Sequence, residues 1–237
     1  MNLSKLKKEV YKANIKLYLS RLVTSTFGNV SGIDRSRLLV AIKPSGVPYK
    51  KLTPKDIVIV DLDGNKIEGK LNPSSDTKTH LEIYRTFPDI GGVSHTHSTY
   101  ATAWAQAREA IPCLGTTHAD FFYGEIPCTR VISDSRILKD YELETGKLIV
   151  DTFKSIDYHY MKAVLVACHG PFSWGENAEE AVKVSIALEE IARTALYTII
   201  INPAFKNIKK SLLDKHYLRK HGKGTYYGQK MNGKAGY

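Results

Sequence analysis

Apolar residues recur near the start of the chain as Leu3, Leu6, Val10, Ala13 and Leu17. Spacings of three and four place them on one stripe of a 3.6-residue helix, so the chain opens on an amphipathic helix. The pattern then shortens. Leu38 to Ile42, Ile57 to Leu62, Ile126 to Val131 and Ala163 to Cys168 are brief apolar runs bounded by turn residues, which predicts strands. Residues 24 to 31, polar and small around Gly28, read as a connecting loop in which the glycine lets backbone approach a ligand. Thr53-Pro54 opens a short turn ahead of the second strand, and Asp63-Gly64 closes a hairpin onto Lys66 to Glu68.

Helical spacing returns between these runs. Leu81, Ile83, Tyr84 and Phe87 mark a helix from Thr77 to Phe87, ended by Pro88. Ser98 to Ala107 is a second, Ala-rich helix whose Tyr100 and Trp104 lie one turn apart as core residues. Ser133 caps a helix to about Leu143, a further one follows from about Glu144 to Lys154, and Glu142 and Glu144 read as surface positions. Asn177 caps a long helix that stops before Asn202-Pro203. Strands precede short helices or hairpins without the regular alternation of a barrel. The fold class is therefore α/β, one domain with a largely antiparallel central sheet flanked by helices.

At 237 residues the chain can bury one large core. Its lysine-rich opening lacks the apolar stretch of a secretory leader, and no apolar run approaches the roughly 20 residues of a membrane span. Cys113, Cys128 and Cys168 form no CxxC pair, which suits a reducing cytoplasm. The net charge of +10 calls for anionic partners. Basic residues crowd the last helical region, Lys206 to Lys223, yet no nucleic-acid module accompanies them, so a phosphorylated small molecule is the sharper expectation than nucleic acid or membrane.

The chemistry concentrates at Gly91 to His97, Gly-Gly-Val-Ser-His-Thr-His. On a strand, His95 and His97 point to the same side, because side chains alternate with period two. His169 ends the apolar run at Cys168 and supplies a third imidazole. Three nitrogen ligands with a position left free describe a catalytic divalent-metal site. Lys43-Pro44-Ser45-Gly46 brings a cation, a hydroxyl and bare amides together as an anion cradle. Ser74-Ser75-Asp76 ahead of a helix could cap it, bind phosphate at its N-terminus, or both. Leu114 to Asp120 is a polar cluster in which His118 reads as a satisfied neighbour and Asp120 as a carboxylate that a loop could aim into a pocket. The tail Thr225-Tyr226-Tyr227-Gly228 is unusual for a terminus and could dock on its own chain or on a neighbour.

Seven ordered stretches together resemble one family: Gly28-Asn29, Lys43 to Gly46, Pro73 to Asp76, His95 to His97, Gly115 to Asp120, His169 to Phe172, and Leu213 to Tyr217 with Tyr226 to Gly228. They are similar to the L-ribulose-5-phosphate 4-epimerases of the class II aldolase family. The likeness spans about Leu3 to Gln229, so residues 1–229 are expected to form the family's domain and 230–237 a disordered extension. The resemblance implies a divalent metal, usually zinc with manganese or cobalt possible, held by His95, His97 and His169 with Asp76 in or beside the coordination sphere. It implies Asp120 and Tyr227 as the acid/base pair, the tyrosine coming from an adjacent subunit of a homotetramer. Gly28, Asn29, Lys43, Ser45, Gly46, Ser74 and Ser75 would hold a phosphorylated ketopentose, with His216 supporting the same region. The implied reaction breaks and remakes the C3–C4 bond and so inverts C4. Aldolases of the family, typically with Glu where Asp76 stands, and an adducin-like scaffold without a metal are the two alternatives.

Overall fold

The computed structural model describes residues 2–221, 230–231 and 234–235. Helix α1 (Leu3–Leu19) leads into β1 (Asn29–Asp34), β2 (Leu39–Ile42), β3 (Val58–Asp61) and β4 (Lys66–Glu68). After α2 (Thr77–Thr86) come β5 (Gly92–His95), α3 (Thr99–Ala107), the single turn α4 (Thr116–Ala119) and α5 (Asp134–Thr152). Strands β6 (Ala163–Val166) and β7 (Gly170–Gly175) precede α6 (Ala178–Ile201) and α7 (Lys210–His221). Lys230–Met231 and Lys234–Ala235 pair as a small separate ladder, β8 and β9. The main sheet runs β4-β3-β2-β1-β5-β7-β6, with every pairing between these named strands antiparallel. The expected class is the observed one.

Period-two alternation sorts the sheet's side chains between two cores. Val30, Ala41 and Ile59 face α1 and the start of α6, packing on Val10, Leu17 and Val182. Ile33, Val40, Val60 and Val93 share the other core with Leu81, Tyr84 and Ile149 of α2 and α5. Phe87, Phe153 and Trp174 close that core edge to face, the Trp174 ring 5.0 Å from Phe153 and 5.2 Å from Phe87. Among the described residues, no helix is long and apolar enough to cross a membrane.

Three expectations change. The loop expected over residues 24 to 31 ends at Asn29, where β1 begins. Asn29, Ser31 and Gly32 are poor strand formers, but pairing with His95, Val93 and Gly92 of β5 overrides local preference. The strand expected over Ile126 to Val131 is reduced to isolated bridges, Ile126 with Ile111 and Cys128 with Leu165. Pro127 between them has no N–H to continue a ladder. The two helices expected over 133 to 154 are present along α5, but they meet at Asp140 (φ −169°, ψ 89°), earlier than the expected junction near Leu143. The Asp140 carboxylate, turned out of the helix, meets Lys78 at 2.6 Å.

One buried amide ties α1 to this sheet. Strand β2 ends at Ile42, opposite Ser31, and Asn14 supplies the partners that a longer β2 would have given Val30: Nδ2 donates to the Val30 carbonyl at 2.9 Å and Oδ1 accepts its N–H at 2.9 Å. Replacing Asn14 with Ala leaves both Val30 groups buried and unpaired, each worth about 1–3 kcal/mol. Urea denaturation of Asn14→Ala should therefore show a loss of about 2 kcal/mol or more, with the slope unchanged.

Candidate active site

The register of β5 against β7 sets His95 opposite Phe172. The imidazole stacks on that phenyl ring at 4.1 Å and 15°, and its Nδ1 lies 3.0 Å from the Pro171 carbonyl. A nitrogen facing a carbonyl must donate, so Nε2 of His95 carries the free lone pair. His97, two residues on, presents its Nε2 3.1 Å from that of His95. His169 arrives from the opposite strand. The chain turns sharply after β6, with His169 N–H donating to Val166 at 3.0 Å and Cys168 in the left-handed region at φ 63°. The ligand-type atoms of all three histidines fall within 4.8 Å of one another. Burial, then the neighbouring imidazoles, push His169 down to about 3 and lower His97 as well. Three ring nitrogens crowded around one point, with space on the cavity side, fit a divalent cation.

Asp76 stands at the N-cap position of α2 but makes no side-chain capping bond. Its carboxylate turns instead to Asn29, whose Nδ2 donates to Oδ2 at 2.6 Å. Asn29 is itself the residue that pairs with His95 across β1 and β5, so one sheet register fixes the imidazole and the amide together. Burial raises the Asp76 carboxyl, yet the His95 and His80 imidazoles and the Asn29 amide outweigh it and hold it below the usual range. Gly28 precedes this pair at φ 74°, where a Cβ would meet Val23 at 2.6 Å and the His95 carbonyl at 2.9 Å.

A cavity of about 380 Å³ opens over the histidines. Gly28, Asn29, Lys43, Ser45, Gly46, Ser74, Ser75 and Asp76 all line it beside His95, His97 and His169. Two of its loops are zipped to each other: Ser74 N–H donates to the Lys43 carbonyl and Ser45 N–H to the Asn72 carbonyl, both at 3.1 Å. Lys43 is 1% exposed, and among the described residues its Nζ has only long contacts of 3.4 Å to the Thr26 and Pro44 carbonyls, plus the Tyr49 ring at 4.8 Å. Burial lowers it to about 8, partly countered by Asp76. An ammonium so poorly partnered suits an anion arriving from the cavity.

Residues 8–196 match the model for the Class II Aldolase and Adducin N-terminal domain. The chain belongs to the class II aldolase family. Over 228 residues this family member is 52% identical to the L-ribulose-5-phosphate 4-epimerase UlaF of Salmonella paratyphi B, covering 96% of this chain and 100% of that protein. An L-fuculose 1-phosphate aldolase structure superposes with TM-score 0.76 at 27% identity, over 90% of this chain and 94% of that one. YgbL from Klebsiella pneumoniae, described as a putative aldolase/epimerase/decarboxylase, shares the fold at TM-score 0.70 and 23% identity, over 91% and 99% of the two chains. Dependence on a divalent metal accords with the family, and the three histidines of this member stand together as such a centre requires.

Two sequence candidates of this class II aldolase-family chain lie elsewhere. Asp120 and His216 do not line the cavity; they face each other, His216 Nδ1 3.1 Å from Asp120 Oδ1. Arg219 adds a two-pronged contact, Nε donating to Oδ1 at 3.1 Å and Nη2 to Oδ2 at 2.7 Å, and Lys220 approaches to 3.4 Å. Burial raises the Asp120 carboxyl, but Arg219, His216 and Lys220 together bring it below its ordinary value. Tyr227 lies outside the described residues. His118, expected as a satisfied neighbour, is satisfied on one side alone: its Nε2 donates to the Gly124 carbonyl at 2.7 Å, while its buried Nδ1 has no hydrogen-bond partner among the described residues. Glu142, expected at the surface, lines the cavity with Tyr141, because the break at Asp140 redirects the chain after it. Tyr141 reaches His169 Nδ1 at 3.2 Å. No periodic signal marks these two. Thr26 and Phe27 were likewise hidden in a stretch read as a connector.

Lys43→Met tests the strained ammonium. The folded chain releases the Lys43 proton near pH 8, the unfolded one near 10.5, so the unfolded state binds more protons between those values and the wild type gains stability as pH rises through that window. Met keeps the stem and removes the charge. The variant should be more stable than wild type by about 2–3 kcal/mol below pH 8, converge with it above 10.5 in denaturant titrations, and lose affinity for phosphorylated sugars.

Proposed function

We propose that this chain interconverts L-ribulose 5-phosphate and D-xylulose 5-phosphate, acting as an L-ribulose-5-phosphate 4-epimerase. The observation that carries the reading is the gathering of three imidazoles, an Asp76 carboxylate held below its usual range and a poorly partnered Lys43 around one cavity, in a chain 52% identical to an epimerase of that name. His95, His97 and His169, with Asp76 in or beside the coordination sphere, would hold one divalent cation. Zinc is the first expectation for this donor set, which also accepts manganese or cobalt. When bound, the cation supplies a Lewis acid for the negative charge that develops on sugar oxygens.

The chain's own residues do the rest. Gly28-Asn29, Ser45-Gly46 and Ser74-Ser75 form the cradle for the phosphate, with the Lys43 ammonium behind it. Asn29 Oδ1 is buried with no partner among the described residues, so it is ready to accept from a substrate hydroxyl. The C4 hydroxyl gives up its proton, the C3–C4 bond breaks with its electrons left on C3, and glycolaldehyde phosphate turns its carbonyl. Attack from C3 on the opposite face re-forms the bond, and the C4 oxygen regains a proton from the other side. Asp120, kept ionised by Arg219 and His216, is suited to take the proton, and Tyr227 to return one.

Because Asp120 and His216 sit with α7 and not among the lining residues, they and Tyr227 are proposed to serve the cavity of an adjacent subunit in a homotetramer. The unpaired Cys113, Cys128 and Cys168 accord with a reducing cytoplasm.

Asp120→Asn should lower epimerisation of L-ribulose 5-phosphate roughly 10²-fold or more while metal content by elemental analysis stays at the wild-type level; unchanged turnover removes Asp120 from the chemistry. Tyr227→Phe should still bind the sugar phosphate but turn over slowly, and a fully active monomer in light scattering would refute the shared site. His169→Ala should empty the protein of metal and of activity together. Net release of two fragments from L-ribulose 5-phosphate, in place of epimer, would make the protein an aldolase.

A further inference from the structure

His80 lies on α2 one turn beyond Asp76, its N–H donating to the Asp76 carbonyl at 3.1 Å. Its ring is fully buried and stands edge-on to Phe172 at 5.9 Å, the same phenyl ring on which His95 stacks. Nδ1 sits 2.7 Å from Ser31 Oγ, and that hydroxyl sits 2.9 Å from Tyr84 OH. Nε2 has no hydrogen-bond partner among the described residues. A fully buried imidazole nitrogen left alone is costly, and such an orphan calls for a reason.

The direction of the hydroxyl chain says what Nε2 carries. Burial raises the Tyr84 phenol, so it keeps its proton, and the Val93 amide meets its oxygen. Tyr84 then donates to Ser31, and Ser31 to His80 Nδ1. An Nδ1 that accepts from Ser31 holds a lone pair, so the ring proton resides on Nε2. Residues four apart on a helix share a face, so the His80 ring and the Asp76 carboxylate stand on the same side of the first turn of α2. An N–H donor fixed in one tautomer beside a carboxylate at a cation centre is the arrangement by which ligands are oriented from behind.

We propose that His80 is a positioning residue for the cation centre: its Nε2–H reaches the Asp76 carboxylate through one buried water, and Ser31 and Tyr84 fix the tautomer that makes this possible. The inference rests on the reading of His95, His97, His169 and Asp76 as cation ligands. Asp76 would thus be held from two sides, by Asn29 directly and by His80 indirectly.

The test combines a metal-free and a metal-bound readout. Nitrogen-15 NMR of the metal-free wild type should show His80 protonated at Nε2; protonation at Nδ1 overturns the proposal. Zinc affinity, measured by competition with a chromophoric chelator, should fall about 10-fold or more in His80→Phe and stay within about threefold of wild type in His80→Gln, which returns an amide donor near the Nε2 position. In an Asp76→Asn background, His80→Phe should change zinc affinity no further. Wild-type affinity in His80→Phe, or an equal loss in the Asp76→Asn background, overturns the proposal. Should His80→Phe fail to fold, Ser31→Ala decides: it frees the tautomer and should weaken zinc several-fold, and wild-type affinity there is the contrary result. A wild-type protein that holds no zinc would overturn the cation reading and this inference with it, whereas zinc held equally well by every variant sinks only the inference.

Discussion

Antiparallel pairing of β5 with its two neighbours is the constraint on which the site depends. His95 faces Phe172 on one side and Asn29 on the other, and each contact places something the centre needs. Phe172 and the Pro171 carbonyl orient the imidazole; Asn29 takes hold of Asp76. A slip of one residue in either ladder would send His95 to the opposite face, toward α6, where Ser94 now bonds Ser185. Gly91 and Gly92 guard against it, since a Cβ at either would strike the Glu176–Ala178 backbone at 2.0 to 2.4 Å.

The strongest sequence signals were those of local periodicity. Strand alternation predicts His95 and His97 on one face, and although β5 ends at His95 their Nε2 atoms do meet at 3.1 Å; His169 follows from the end of an apolar run. Asn29 is the opposite case. It was recognised through a motif, while its strand went unseen, because in Asn-Val-Ser-Gly the valine alone favours extended structure until β5 lies alongside. Tyr141 and Glu142 were missed for a related reason: their place depends on a helix break stabilised by Lys78, 62 residues earlier in the chain. The sheet class followed from the order of strands and helices, whereas Pro127 alone was enough to deny the strand expected around it.

Charge follows the same division. The basic surplus was legible as a total, but its distribution was not. Part of it is committed within the chain, where Arg219 and Lys220 of α7 converge on Asp120. Lys43 is spent differently, sealed beneath the cavity floor at some expense to stability. Among the described residues the cavity is marked by local imbalance: an amine without good acceptors, an amide oxygen without a donor, a carboxylate withheld from its helix.

The zipper between the Lys43–Gly46 and Pro73–Asp76 loops has a consequence for recognition. Cross-bonded through Ser74 and Ser45, and bridged again between Pro44 and Pro73, the two loops form one stiff wall. A wall of this kind gives up little conformational freedom when a ligand settles against it. If this wall receives the phosphate, as proposed, discrimination between a sugar bearing a terminal anion and one lacking it begins with a surface already in place in the resting protein.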